Sequence, residues 1–260
     1  MDSTSGCGAV YFPILLCQKA LGHWDIWLGQ GSAEDLHKFL QIASWLTANQ
    51  DAEGGWDTWN LASQCQDSQY RYSAMTQGQA LSVMARAHLL TRNDSFERAS
   101  RSAMKLMCKP VQDGGVCWYE DGDVFLEEFP GASRETVLNG WIFALFGVYD
   151  YVLQFSDDNA RSFHGDTSAS LARRLDEYDA GFWSYYNSGA KRLASPFYHR
   201  LHLSQLAALN QVLQEASLKL TLEAWTRYER NRFYKSRAVL VKGIQKLIEP
   251  GPVPIIASSR

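Results

Sequence analysis

Residues 36–59 read LHKFLQIASWLTANQDAEGGWDTW, and the way this stretch is parsed decides the fold. Leu36, Phe39, Leu40, Ala43 and Leu46 recur at the helical period, and Ser32 stands where an N-cap belongs. The stripe predicts an amphipathic helix that ends in a loop rich in glycine and tryptophan. The same order returns twice: SFERASRSAMKLMCKPVQ (95–112) leads into DGGVCWYE (113–120), and SASLARRLDEY (168–178) into DAGFWSYY (179–186). After each loop comes a more apolar segment: SAMTQGQALSVMARAHLL (73–90), ETVLNGWIFALFGVYDYVL (135–153) and YHRLHLSQLAALNQVL (198–213). Apolar residues on more than one face predict a helix buried on most sides. The first member of each pair is therefore read as outer and the second as inner.

Gly55, Gly115 and Gly181 mark the repeat, spaced by 60 and then 66 residues. That period suits a helical hairpin with two loops. A first apolar helix at about residues 13–28 and a long last one at about 217–247 complete the set. The expected fold is all-α: an (α/α) toroid, or incomplete α/α barrel, of helical hairpins over residues 1–248. Residues 249–260 (EPGPVPIIASSR from Glu249) read as an extended tail. In such a ring the Gly-aromatic loops gather at one end with the N-termini of the inner helices. Their unpaired N–H groups would favour an anionic ligand. A plain helical bundle with polar loops satisfies the repeat equally well.

Composition narrows the classes of function. A formal net charge of −3 argues against nucleic acid as a bulk partner. The five cysteines, Cys7, Cys17, Cys65, Cys108 and Cys117, are odd in number and form no CxxC pair, which disfavours a disulfide framework and a zinc site. No apolar run is long enough to span a bilayer and no basic leader opens the chain. The expectation is a cytoplasmic protein, or a Golgi or secreted one if the chain is an N-terminally incomplete fragment. Nine Trp, twelve Tyr and twelve Phe serve either an aromatic core or the stacking platforms of a carbohydrate cleft.

The strings KFLQIASWLTANQDAEGGW (38–56), YSAMTQGQALSVMARAHLL (72–90), FLEEFP (125–130), VLNGWIFALFGVYDY (137–151), YDAGFWSYY (178–186) and FYHRLHLSQL (197–206) follow one another in register. Together they resemble the C-terminal domain of the D-glucuronyl C5-epimerases, over about residues 12–234. The resemblance implies an (α/α) toroid acting on an anionic uronic-acid polysaccharide of the heparosan or heparan sulfate kind, and converting D-glucuronate to L-iduronate units. It implies no cofactor and no metal: the C5 proton leaves from one face and another returns on the opposite face, so two acid–base groups are needed.

By matched position the resemblance assigns Glu128 and Tyr198 as the proton-transfer pair, with Tyr186 assisting or binding the carboxylate. It puts Tyr72 and Gln77 in a cleft-lining turn, and Trp56, Asn139, Arg192, His199, Arg200 and His202 are read with them as substrate-binding. It also implies a homodimer, for which Trp225, Tyr228 and Phe233 would offer a surface. A tyrosine base needs a cation or donors beside it, and Arg192 and Arg200 are the nearest in sequence. A glutamate buried beside Phe129 and Pro130 would have its pKa raised.

The residues alone leave other readings open. Glu127 and Glu128 also suit the start of a helix, and Tyr198 could be a wedge between helices. His199 and His202, at i and i+3, could face a metal, but no third ligand is evident and a structural role is as natural. The basic run from Arg227 to Lys246 is either a solvated face or a surface for a polyanion.

This chain departs from the family pattern in four places. It begins almost directly with the helices, without the family's N-terminal β-rich region. Phe129 replaces a tyrosine, Asn187 replaces an aspartate, and the family's arginine beyond Asn187 is met only by Lys191 and Arg192 after a shift. A uronate lyase or hydrolase of the same fold, or a non-catalytic glycan-binding domain, are the alternatives.

Overall fold

A computed structural model describes residues 12–58 and 70–248. The expected tail at 249–260 lies outside the described residues, as do Cys7 and Cys65. The described residues are all-α, built of consecutive helical hairpins with one small sheet. They form two compact units, residues 12–136 with 140–170 and residues 137–139 with 171–248.

In the first unit, α1 (Pro13–Gln30) starts with proline in its first turn and stops at Gly31, whose φ of 69° is the left-handed conformation glycine tolerates. Ser32 then caps α2 (Ala33–Ala48) by accepting from the Asp35 N–H, as its position predicts. α3 (Ala74–Thr91) follows, and Asn93 caps α4 (Asp94–Cys108) by accepting from the Ser95 N–H. α2 buries the single stripe Phe39, Ala43 and Leu46, while α3 is buried continuously from Ala74 to Ala85. Here the expected contrast of amphipathic and enclosed helices holds.

α5 (Leu138–Gln154) runs close against α3. A Cβ on Gly78 would lie 2.4 Å from the Ala144 Cα, and one on Gly147 would collide with the Gly78 carbonyl oxygen. Two glycines therefore set the spacing of the buried helices, because any larger residue would hold the backbones apart. α6 (Asp158–Arg174) completes the hairpin.

The segment 113–126, expected as a loop, is instead largely a β-hairpin: β1 (Cys117–Glu120) pairs antiparallel with β2 (Asp123–Leu126). Its two-residue turn is Asp121-Gly122, with φ of 51° and 80°, the left-handed pair a type I′ turn requires. Thr167 and Ser170 of α6 close its edge: the Thr167 hydroxyl donates to the Val124 carbonyl (3.0 Å) and the Ser170 Oγ accepts from the Val124 N–H (2.9 Å).

In the second unit, α7 (Pro196–Leu213), α8 (Ala216–Arg230) and α9 (Arg232–Ile248) pack on one another. A core of Phe182, Trp183, Leu193, Ala194 and Ala238 fills the unit. The long last helix read from the sequence is two helices. Asn231 interrupts it in an extended conformation, and its Oδ1 accepts from the N–H groups of Phe233 (2.9 Å) and Tyr234 (3.2 Å). An asparagine side chain that satisfies these donors starts a new helix rather than continuing the old one. Trp225, read as surface, is wholly buried, whereas Phe233 is exposed.

Candidate active site

Glu127 and Glu128 continue directly from β2. The Glu127 N–H donates to the Val116 carbonyl (2.9 Å), and its own carbonyl accepts from the Ala74 N–H (2.9 Å) at the start of α3. The hairpin is thereby pinned to a buried helix N-terminus, and both side chains are carried into the interior: Glu127 is 1% and Glu128 7% exposed. The Thr136 hydroxyl donates to Glu127 Oε1, while Oε2 is buried with no hydrogen-bond partner among the described residues.

Glu128 lies against Gly140 in the first turn of α5. A Cβ there would be 2.4 Å from Glu128 Oε2 and 2.7 Å from its Cβ. The missing side chain is what makes room for the carboxyl. Burial pushes Glu128 up to about 7, and the neighbouring Glu127 pushes the same way. Burial also raises Glu127 to about 7, opposed by the Thr136 hydrogen bond and by Arg134. Two carboxyls that change state near neutral pH can each give or accept a proton there.

Around them in the same unit, Tyr72, Gln77 and Trp56 are buried and turned to a shared task. The Tyr72 hydroxyl donates to Asp51 Oδ2 (2.7 Å), Gln77 Nε2 to the Gly54 carbonyl (3.2 Å) and Trp56 Nε1 to the Leu46 carbonyl (2.9 Å). All three hold the loop 51–56 in place. Burial and then the bond to Asp51 push the Tyr72 phenol up, which keeps it a donor. Gln77 Oε1 and the Ser73 hydroxyl are buried without a partner among the described residues. A cavity of about 390 Å³ elsewhere in this unit, lined by Arg101, Lys105, Tyr151 and Asp157 among others, touches none of these groups.

In the second unit the segment 184–194 folds back on itself. The Tyr186 N–H donates to the Arg192 carbonyl (2.6 Å), the Arg192 N–H donates to Asn187 Oδ1 (3.1 Å), and the Leu138 N–H donates to the Tyr186 carbonyl (3.1 Å). Asn187, the residue that departs from the family's aspartate, thus holds this turn with a neutral oxygen. Ser195 caps α7, and Tyr198 sits in its first turn. The half-buried rings of Tyr186 and Tyr198 meet edge to face, 4.9 Å between centroids. The two matched tyrosines are brought together although they lie twelve positions apart in the chain.

His199 and His202 are fully buried. His199 stacks on Trp183 at 3.8 Å, and its Nε2 faces the Trp225 carbonyl (3.3 Å). A carbonyl can only accept, so this nitrogen carries the proton and Nδ1 accepts from Ser184 Oγ (2.8 Å). Ser184 Oγ in turn accepts from His202 Nδ1 (3.0 Å). Burial drives His199 down to about 4 and His202 to about 3, so both imidazoles are neutral at pH 7. They support Ser184, two residues before Tyr186, and turn no ring nitrogen to solvent.

Asn139 is buried, with its carbonyl accepting from Gln205 Nε2 (3.0 Å). Arg192 and Arg200 are exposed, and Arg200 pairs with Glu229 at 3.6 Å. Sequence reading passed over Gly140, Thr136 and Ser184. A glycine in the first turn of an otherwise apolar helix was the available signal for the first; the other two carry none.

These features define an all-α domain of helical hairpins with a pair of buried, near-neutral carboxyls. The family model described as D-glucuronyl C5-epimerase C-terminus matches residues 50–227, and the chain belongs to that family. A D-glucuronyl C5-epimerase of Caenorhabditis elegans is 28% identical over 214 residues, covering 74% of this chain and 35% of that protein. An uncharacterized protein of Methanocaldococcus jannaschii is 25% identical over 150 residues, 56% of this chain and 49% of that protein. The chain thus spans about a third to a half of these relatives. No helix of the described residues is long and apolar enough to cross a membrane.

Proposed function

We propose that the chain carries the catalytic groups of a D-glucuronyl C5-epimerase acting on an anionic, heparosan-like polysaccharide. The observation that supports this most directly is Glu128: a carboxyl seated on Gly140, buried, and held at about pH 7. C5 of a glucuronate is acidified only by its adjacent carboxylate, so its removal needs a base whose pKa is not far below the working pH. In this reading one of Glu128 and Tyr198 takes the C5 proton, and the C–H electron pair moves into the carboxylate, giving an enolate-like intermediate. The other returns a proton to C5 from the opposite face, so no atom is lost and no redox partner is required.

Tyr186 assists Tyr198 or binds the sugar carboxylate, and Arg192 and Arg200 neutralise it. Trp56, Tyr72 and Gln77 act by holding loop 51–56, and His199 and His202 by holding Ser184. Asn139 contributes at the first turn of α5.

The test is incubation with plain and N-sulfated heparosan in deuterated water, followed by NMR. Deuterium at C5 together with iduronate signals supports the proposal. Ultraviolet absorption from a new double bond would mean elimination, and an unlabelled polymer that still binds would mean a glycan-binding domain.

A further inference from the structure

α9 carries five basic residues, Arg232, Lys235, Arg237, Lys242 and Lys246, and no acidic one. Two of them have evident work inside the unit. Lys235 pairs with Glu229 at 2.8 Å, and the Arg237 guanidinium covers the Phe182 ring at 3.9 Å.

Lys242 and Lys246 differ. They stand four residues apart, on one face of the helix, and neither forms an ion pair with another described residue. Between them Gln245 Oε1 accepts from the Leu193 N–H (3.1 Å), which fixes this face of α9 against the residues around Arg192. The Arg192 main chain is held by the Tyr186 and Asn187 bonds described above, so this face of α9 lies against the segment that carries Tyr186. Lys242 is part-buried, and its ammonium is held below the usual lysine range by burial and then by Lys246 and Arg192. Gathering like charges at a part-buried position opposes folding, and a bound anion offsets it.

We infer that Lys242 and Lys246 form an anion subsite that holds a second uronate carboxylate of the polysaccharide, next to the unit that reacts. This rests on the proposed reading of the site and adds to it a requirement for a chain longer than the reacting sugar. The subsite also gives the Lys-rich part of α9 a role that a solvated helix face does not have.

The experiment is titration of the 260-residue chain with heparosan oligosaccharides of two and of six sugars, and with the carboxyl-reduced hexasaccharide, at low and high salt. Lys242→Gln/Lys246→Gln is compared with Lys19→Gln/Lys219→Gln, which removes the same charge at exposed positions elsewhere. The inference expects the first variant to bind the hexasaccharide about fivefold more weakly at low salt, with a shallower salt dependence. It expects disaccharide binding and the control variant to be unchanged. Equal hexasaccharide binding by the two variants, or full binding of the carboxyl-reduced hexasaccharide, overturns the subsite and leaves the proposed function standing. If the wild-type chain binds neither heparosan nor sulfated heparin, the proposed function and the subsite fall together.

Discussion

Two buried titratable pairs sit in this molecule, and burial moves them in opposite directions. At Glu127 and Glu128 it raises both carboxyls to about 7, within reach of proton exchange at neutral pH. At His199 and His202 it lowers both imidazoles, to about 4 and 3, and removes them from proton chemistry there. The difference lies in the charge of the ionised form: burial disfavours it in both pairs, which carries a carboxyl up toward neutral pH and an imidazole down away from it. Buried atoms without a hydrogen-bond partner among the described residues occur in both pairs, Glu127 Oε2 and His202 Nε2. Burial alone does not mark a site; a buried group held at the pH where it changes state does.

The largest effect that would break this contrast is chemical. Glu128→Gln keeps the shape and removes the exchangeable proton, and should lower C5 exchange about a thousandfold if Glu128 is an acid–base group. Circular dichroism should stay close to wild type, and the melting temperature at pH 7 should not fall. Unchanged turnover would remove Glu128 from the mechanism.

Next in size is the pH dependence of folding. A carboxyl raised from 4.5 to about 7 lets the native state hold a proton that the unfolded chain has released, so its contribution weakens as pH rises from about 4.5 to 7. Histidines lowered from 6.5 act oppositely: the unfolded chain takes up protons below 6.5 and the native state does not, so stability is lost as pH falls. The two regions offset each other between about 4.5 and 6.5. Glu127→Gln/Glu128→Gln should expose the histidine slope, with urea midpoints falling below pH 6.5 and standing above those of wild type beyond pH 7.

Gly140→Ala should cost about 1–3 kcal/mol, because Glu128 must move away from the added methyl. Thermal melts measure the loss, and slower C5 exchange would show that the seat positions the carboxyl. Ser184→Ala leaves His202 Nδ1 and His199 Nδ1 without their shared hydroxyl and should cost about 1–2 kcal/mol. Asn231→Ala is the smallest, at about 1 kcal/mol, from the lost cap of α9.

Much of the helical order was legible because it is local. The Ser32 cap, Pro13 in the first turn of α1 and the stripe Phe39, Ala43 and Leu46 are readable within one turn of chain. The hairpin 117–126 was readable in principle from Asp121-Gly122 between apolar residues, but its strands are four residues each and lie in a segment resembling the other loops. The division of the last helix at Asn231 was missed because asparagine in a helix interior is common enough, and only its side-chain direction makes it a cap.

The sequence by itself determined the contrast of amphipathic and enclosed helices in the first unit, the family, and the residue types matched to its motifs. In the second unit α7, expected to be enclosed, buries a single stripe of His199, His202, Gln205, Leu206 and Leu209. Helical period and capping depend on neighbours three or four positions away, so they are written in the chain. Tertiary structure decided which matched residues keep a titratable group available and which are consumed in support. Glu128 is raised because β2 ends inside the first unit against Gly140, and His202 is lowered because Trp225 and Ser184 enclose it. Desolvation depends on atoms brought from distant parts of the chain, and no local pattern carries that information.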